Sequence, residues 1–338
     1  MSNQVSDHEF TQALAAIEEE QISDAEKVDM LTQIGMGLQQ KPKSPQSLHN
    51  AITLYDRALE FCEDDDALTR ARIEARKATA LQSIPENGSE YLLKAQLTLE
   101  AALPILEQQG SDEEKAEAQM NLGLINHNLA GFHQAKITDA IALYQRALHV
   151  FTREKYATEF AILHNNLATA YLSMPMTDER GKMREALAVQ SFEEALTVVT
   201  LIDQPSEYAM LQNNLGNALQ YVSSSHAVEN NYRALDAYDE ALKVRTKSDT
   251  PMEYANTVCN KANCLRNLPD DLENPDAGNN NHLMQARDMY REARDIFIQY
   301  GDTARAGIVE ETLSEVEQDL GTGHAGSRDG KGFGESRI

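Results

Sequence analysis

Tryptophan is absent from the 338 residues, and aromatic side chains make up only 6% of them. A chain this poor in large rings fits a helical protein with an Ala- and Leu-rich core. The 3 cysteines are sparse and odd in number, which fits a reducing compartment, so a cytoplasmic location is expected. Positive charge is short: 30 Lys and Arg stand against 54 Asp and Glu, for a formal net charge of −24. Nucleic acid and anionic membrane surfaces both need a basic footprint, so neither is expected as a partner. The acidic balance favours solubility and self-repulsion, with a basic partner as the sharper alternative. No apolar run approaches the ~20 residues that span a bilayer. The start, MSNQVSDHEF, has no apolar segment behind a basic one, so no secretory signal is expected. No stretch alternates apolar and polar residues for long enough to be a strand.

What is present is self-similarity. ATEFAILHNNLATAYL, from Ala157, recurs as PSEYAMLQNNLGNAL from Pro205 and PMEYANTVCNKANCL from Pro251, with a fainter copy, EKAEAQMNLGLI, at Glu114. After each of the three clear copies, a small residue, an aromatic and an Ala recur at helical spacing: Ala188, Phe192, Ala195; Ala234, Tyr238, Ala241; Ala286, Tyr290, Ala293. Aligning Val28, Ala71, Ala116, Ala161, Ala209, Ala255 and Ala306 gives a period of about 45 residues, long against the ~34 of a common helical repeat.

Two helices are expected per period. First helices are predicted near 24–40, 66–82, 112–130, 156–173, 205–222, 250–268 and 302–320. Second helices are predicted near 46–62, 89–108, 136–152, 182–201, 229–246 and 280–299. Residues 7–20 read as a short amphipathic helix bearing Phe10, Leu14 and Ile17. Pro205 and Pro251 suit helix starts, where no N–H is needed. Thr250 and Glu253 have capping-box spacing. Residues 1–23 are therefore an N-terminal helix, 24–320 a solenoid of about six helix pairs with capping helices at both ends, and 321–338 a disordered Gly-rich tail. The acidic, Asn-rich Pro269–Asn281 is the expected flexible excursion. Packing requires Gly123, Ala168, Gly216 and Ala262 on first helices to receive Tyr144, Phe192, Tyr238 and Tyr290 from second helices.

These residues resemble a tetratricopeptide repeat protein. Leu122–Gly123, Leu167–Ala168 with Tyr171, Leu215–Gly216 and the Ala–aromatic–Ala sets carry the likeness, with Ala51, Tyr55, Ala58 and Ala140, Tyr144, Ala147 as further examples. Lys77 and Lys261 stand where the family's Leu is expected, and Leu99 replaces one aromatic. Lengthened repeats of the kinesin light chain type account for the period. The resemblance implies an all-α superhelix whose concave wall, lined by first helices, binds a peptide or a partner's segment.

Amides concentrate on those first helices. Asn256, Asn260, Asn263 and Asn267 follow i, i+4, i+7, i+11 on one face. Asn213, Asn214, Asn217 and Gln220 do much the same one repeat earlier, and Asn165, Asn166, Asn121 and Asn128 continue the series. Asparagine is a middling-to-poor helix former, so the stripe needs a reason. Carboxamides offer a donor and an acceptor to the backbone of an extended peptide. They equally serve to bond a neighbouring helix or loop. In lengthened members of the resembled family, Asn at the place of Asn121, Asn166, Asn214 and Asn260 often holds ligand backbone. Arg72 and Arg76 share a helix face. The resemblance implies a hold on a carboxylate, while Glu74 and Glu63–Asp66 offer local charge balance.

Catalytic signals fail on context. GTGHAG at Gly321 follows a helix instead of a strand, and SRDGKGFG lacks phosphate-loop spacing. Cys259 and Cys264 are badly placed to share a metal, the histidines form no cluster, and His164 reads as a satisfied packing residue. No cofactor, metal or catalytic residue is expected. The expected function is a non-enzymatic protein-interaction scaffold whose Asn-lined groove, with pockets at Met120, Met210 and Tyr221, binds an extended segment of a partner protein. The alternatives are an assembly or maturation chaperone for an enzyme complex and a peptide-responsive regulator.

Overall fold

The structure, a computed structural model, describes residues 21–85, 88–174, 179–222, 226–274 and 278–322, together with Phe10, Leu14, Ala15 and Ile17. The described residues are all-α and form two compact units, one ending at Tyr156 and the other beginning at Ala157. The first unit contains α1 (Asp24–Gln40), α2 (Pro45–Phe61), α3 (Ala67–Gln82), α4 (Glu90–Gln109), α5 (Asp112–Gly131) and α6 (Ile137–Ala147). The second contains α7 (Ala157–Leu172), α8 (Glu179–Leu196), α9 (Pro205–Tyr221), α10 (Ala227–Leu242), α11 (Pro251–Arg266), α12 (Asn280–Gln299) and α13 (Thr303–Thr322). Within each unit every helix packs on the next, so both are solenoid stacks of helix pairs.

Local chemistry sets the helix ends. Ser23–Glu26 and Ser111–Glu114 form complete capping boxes at α1 and α5, both readable as Ser-x-x-Glu. The box expected at Thr250 does not form. Its hydroxyl accepts the Thr246 N–H at 3.1 Å, so it closes the preceding turn instead of capping α11. That turn also corrects the predicted ends at 152, 201 and 246, since these second helices stop at Ala147, Leu196 and Leu242. The carbonyls of Ala147, Ala195 and Ala241 each take two N–H groups, from the third and fourth residues on. Thr200 and Thr246 then bond Asp203 and Asp249. In the excursion after Pro269, the Asp270 carboxylate accepts the N–H groups of Asn281 and His282 and so caps α12. Residues 275–277 of it lie outside the described residues, as does the predicted tail from 323 on. Gly321 and Thr322, assigned to that tail, instead complete α13.

The core is tetratricopeptide-like in its packing. Tyr55, Tyr144, Phe192, Tyr238 and Tyr290 are fully buried or within 1% of it. A Cβ placed on Gly123 would stand 2.6 Å from the Tyr144 ring, and one on Gly216 2.5 Å from Tyr238. Gly35 receives Tyr55 in the same way at 2.8 Å. The sequence reading missed Gly35 because Ile34 replaces the Leu of the Leu–Gly pair, although Gly35 follows Val28 as Gly216 follows Ala209. Lys77 and Lys261, the departures at the Leu slot, are answered identically. Lys77 pairs with Asp56 at 2.7 Å and Lys261 with Asp239, each Asp directly following the buried Tyr of the preceding second helix. Phe10, Leu14 and Ile17 pack on the α1–α2 core. At the other end α13 buries Ala306, Val309, Leu313 and Val316 and exposes Glu310, Glu311, Glu315 and Glu317, a polar outer face suited to a cap.

The tyrosine rings lie against bare helix, so each hydroxyl reaches past it. Tyr55 donates to Gln39 at 2.9 Å. Tyr238 lies 2.8 Å from Asn217 Oδ1 and 3.1 Å from Gln220 Oε1, and Tyr290 bonds Asn263. The Tyr144 hydroxyl, buried where Leu124 stands in the place of Asn217, has no partner among the described residues.

Two outcomes follow for chemical denaturation. Gly216→Ala should destabilise by roughly 1–3 kcal/mol, because the ring it displaces is pinned by two amides. Tyr144→Phe should be neutral or stabilising, whereas Tyr238→Phe should cost about 1 kcal/mol, the net value of a buried hydrogen bond.

Candidate functional site

In the first unit, α1, α3 and α5 line a groove of about 300 Å³ that brings together Gln39, Arg72, Arg76, Thr79, Glu117 and Asn121. Arg72 grips Glu114 with two hydrogen bonds, at 2.6 and 3.2 Å. The Arg72 bond holds the Glu114 carboxyl below its ordinary value, while the same carboxylate caps α5 through the Ser111 N–H. The expected local balance by Glu74 or Glu63–Asp66 is therefore corrected: the ion pair that holds Arg72 spans two repeats. Arg76 makes no hydrogen bond or ion pair among the described residues, though its charge acts on Glu114 and Tyr55. Beneath it a chain of bonds crosses the groove floor. Tyr55 donates to Gln39, Gln39 Nε2 to Thr79 Oγ1 at 2.7 Å, and Thr79 to the Arg76 carbonyl at 2.8 Å. Asn121 is half-buried and makes no side-chain hydrogen bond among the described residues.

In the second unit, α7, α9 and α11 carry the rest of the predicted site, and the amides divide into spent and spare. Asn213 is buried and accepts from Asn260 Nδ2 at 3.1 Å, joining α9 to α11. Asn217 and Asn263 accept from the core tyrosines. Asn256 Oδ1 accepts from Arg305 Nη1 of α13 at 3.0 Å. Asn214 makes no side-chain bond among the described residues, and Asn166 receives only a 3.5 Å contact from Asn165 Nδ2. Both are half-buried, and neither has a polar atom sealed from solvent. Flanking them, Ile162, Met210 and Tyr221 are 43%, 38% and 52% exposed. Ile162 escaped the sequence reading, yet it holds the register of Met210 one repeat earlier.

Asn165 differs, since its Oδ1 is buried without a partner among the described residues, as is His164 Nδ1. His164 is thus not the satisfied packing residue expected. Its ring packs on Phe160, with centroids 4.3 Å apart, and burial pulls its pKa down against the opposing charge of Glu194. Cys259 and Cys264 are buried free thiols, both pushed up to about 12 by burial, the opposite of an activated nucleophile. Among the described residues no helix is long and apolar enough to cross a membrane.

Three solved structures are similar to this chain. BtubC (BKLC) from P. vanneervenii has a TM-score of 0.46 and 18% identity, covering 70% of this chain and 91% of its own. A Rap protein complexed with competence and sporulation factor has 0.45 and 15%, covering 92% and 81%. The TPR2AB domain of yeast Sti1, in complex with pHSP90, has 0.30 and 15%, covering 87% and 99%. No protein-family model and no curated protein matches the chain.

Burial lowers the pKa of both His127 and His164. The unfolded chain then binds more protons than the folded one below the ordinary histidine value, so stability falls as pH drops from about 6.5. Urea midpoints measured at about pH 7.5 and about pH 5.5 should show that fall, and His127→Gln with His164→Gln should reduce it.

Proposed function

We propose that this protein is a non-enzymatic interaction scaffold that holds an extended segment of a partner protein on the first-helix face of its second unit. The observation that carries this reading is the pair Asn166 and Asn214, whose amides stay reachable and uncommitted while their neighbours are bonded. Carboxamides with no internal use offer both halves of a peptide hydrogen bond. Ile162 and Met210 on one side, and Tyr221 on the other, give apolar side chains a place to lie. The groove of the first unit adds a second contact of different chemistry. There the unpaired Arg76, with Asn121 and the already neutralised Arg72, receives an anionic side chain or terminal carboxylate. Three buried free thiols accord with a reducing, cytoplasmic setting.

The net charge of −24 favours one rival, a chaperone that masks a basic patch through its acidic surface. Ionic strength separates the two, because exposed charges are screened and amide bonds are not. Peptides selected from a random phage-displayed library on the intact protein provide the probe. Replacing Asn166 and Asn214 together by Ala should keep the helical content and weaken the selected peptide at least about tenfold, the loss of two or more hydrogen bonds. Unchanged affinity, or affinity that collapses with salt for peptides lacking acidic residues, would reject the groove reading.

A further inference from the structure

The internal bonds of α11 fix which end of each asparagine is left to meet a partner. Arg305 donates to Asn256 Oδ1, and a guanidinium cannot accept, so the Asn256 amino group is spare. Asn260 spends its amino group on Asn213 and keeps its oxygen. The Tyr290 oxygen takes a hydrogen bond from Arg266 and passes its own proton to Asn263 Oδ1, which leaves the Asn263 amino group spare. Asn267, directly after the helix, donates at 3.2 Å to the Asn263 carbonyl, which can only accept, and so keeps its oxygen. The spare ends read donor, acceptor, donor, acceptor along one face.

We propose that this strip on α11 binds the backbone edge of an extended peptide, with its carbonyls directed to Asn256 and Asn263 and its N–H groups to Asn260 and Asn267. The inference rests on the peptide reading above and adds the identity of the bonded atoms. Asn260 and Asn263, about 5–6 Å apart at Cβ, can meet the N–H and C=O of one extended residue. A backbone edge offers the same groups whatever side chains it carries, so this strip selects conformation and chain direction more than sequence. Arg305, Arg266 and Tyr290 are then positioning residues, set behind the asparagines that touch the partner.

Isosteric charge variants test the assignment. In Asn256→Asp and Asn263→Asp the bonds from Arg305 and Tyr290 survive, because a carboxylate still accepts them, while the spare donor becomes an acceptor facing a carbonyl. Each should weaken a peptide selected on the wild-type protein by about tenfold or more. Asn260→Asp places the same charge on the same face but keeps the acceptor, and should change affinity by no more than about threefold. N-methylation of the peptide, one residue at a time, should pick out a bonded N–H whose loss of affinity disappears in Asn260→Leu. If the donor-site Asp variants bind like wild type, or Asn260→Asp loses as much as they do, the polarity assignment is overturned and the peptide groove stands. If no peptide is recovered from the library, both fall.

Discussion

The contact on which this protein depends is a tyrosine ring laid against a helix with no side chain beneath it. Gly35, Gly123 and Gly216 leave just enough room for Tyr55, Tyr144 and Tyr238, and a single added carbon would collide. This approach sets the spacing within a pair, and so the angle at which the outer face of the first helix is offered. It also carries a polar atom through the core. The hydroxyl emerges beside the wall and holds Gln39, Asn217, Gln220 or Asn263. Core packing and wall chemistry are thus two ends of one side chain. Where Leu124 removes the receiving amide, the Tyr144 hydroxyl is stranded, a defect that by its nature costs about 1–3 kcal/mol.

Most of the architecture was legible in the chain because helices and repeats announce themselves by period. The start of α9 at Pro205, the start of α11 at Pro251 and the small–aromatic partners all follow from spacing. What the spacing could not reveal is how each polar group is spent. Thr250 has the letters of a helix cap, yet a turn four residues back claims its hydroxyl. Arg72 has acids close by in sequence, yet its partner is Glu114, two repeats' first helices away. Asn213 and Asn214 are adjacent in sequence, but one is buried in a bond to α11 and the other is uncommitted. A stripe of asparagines is visible in one dimension. Its division into structural and available groups is decided by Arg305, Tyr238 and Tyr290, residues 18 to 49 positions away.

The departures from pattern are themselves patterned. Lys77 and Lys261 both replace an apolar residue and both find an Asp on the helix behind, at the same offset from a buried tyrosine. With side chains only 21% and 17% exposed, these ions sit where screening by water is weak. Losing the Asp alone would leave a partly sheltered ammonium without its counter-ion, which costs more than an open surface pair. The two units therefore each contain a joint that tolerates only its own neighbour, alongside joints built on leucine that are chemically alike.

A pile of similar slices has no built-in reason to stop, since each exposes the surface its successor would cover. The far side of α13 gives one. Its Glu310, Glu311, Glu315 and Glu317 meet the next would-be layer with mutual repulsion and no oily patch to bury. Head-to-tail growth into fibres, the standing hazard of modular stacks, is thereby discouraged by four carboxylates on a single helix.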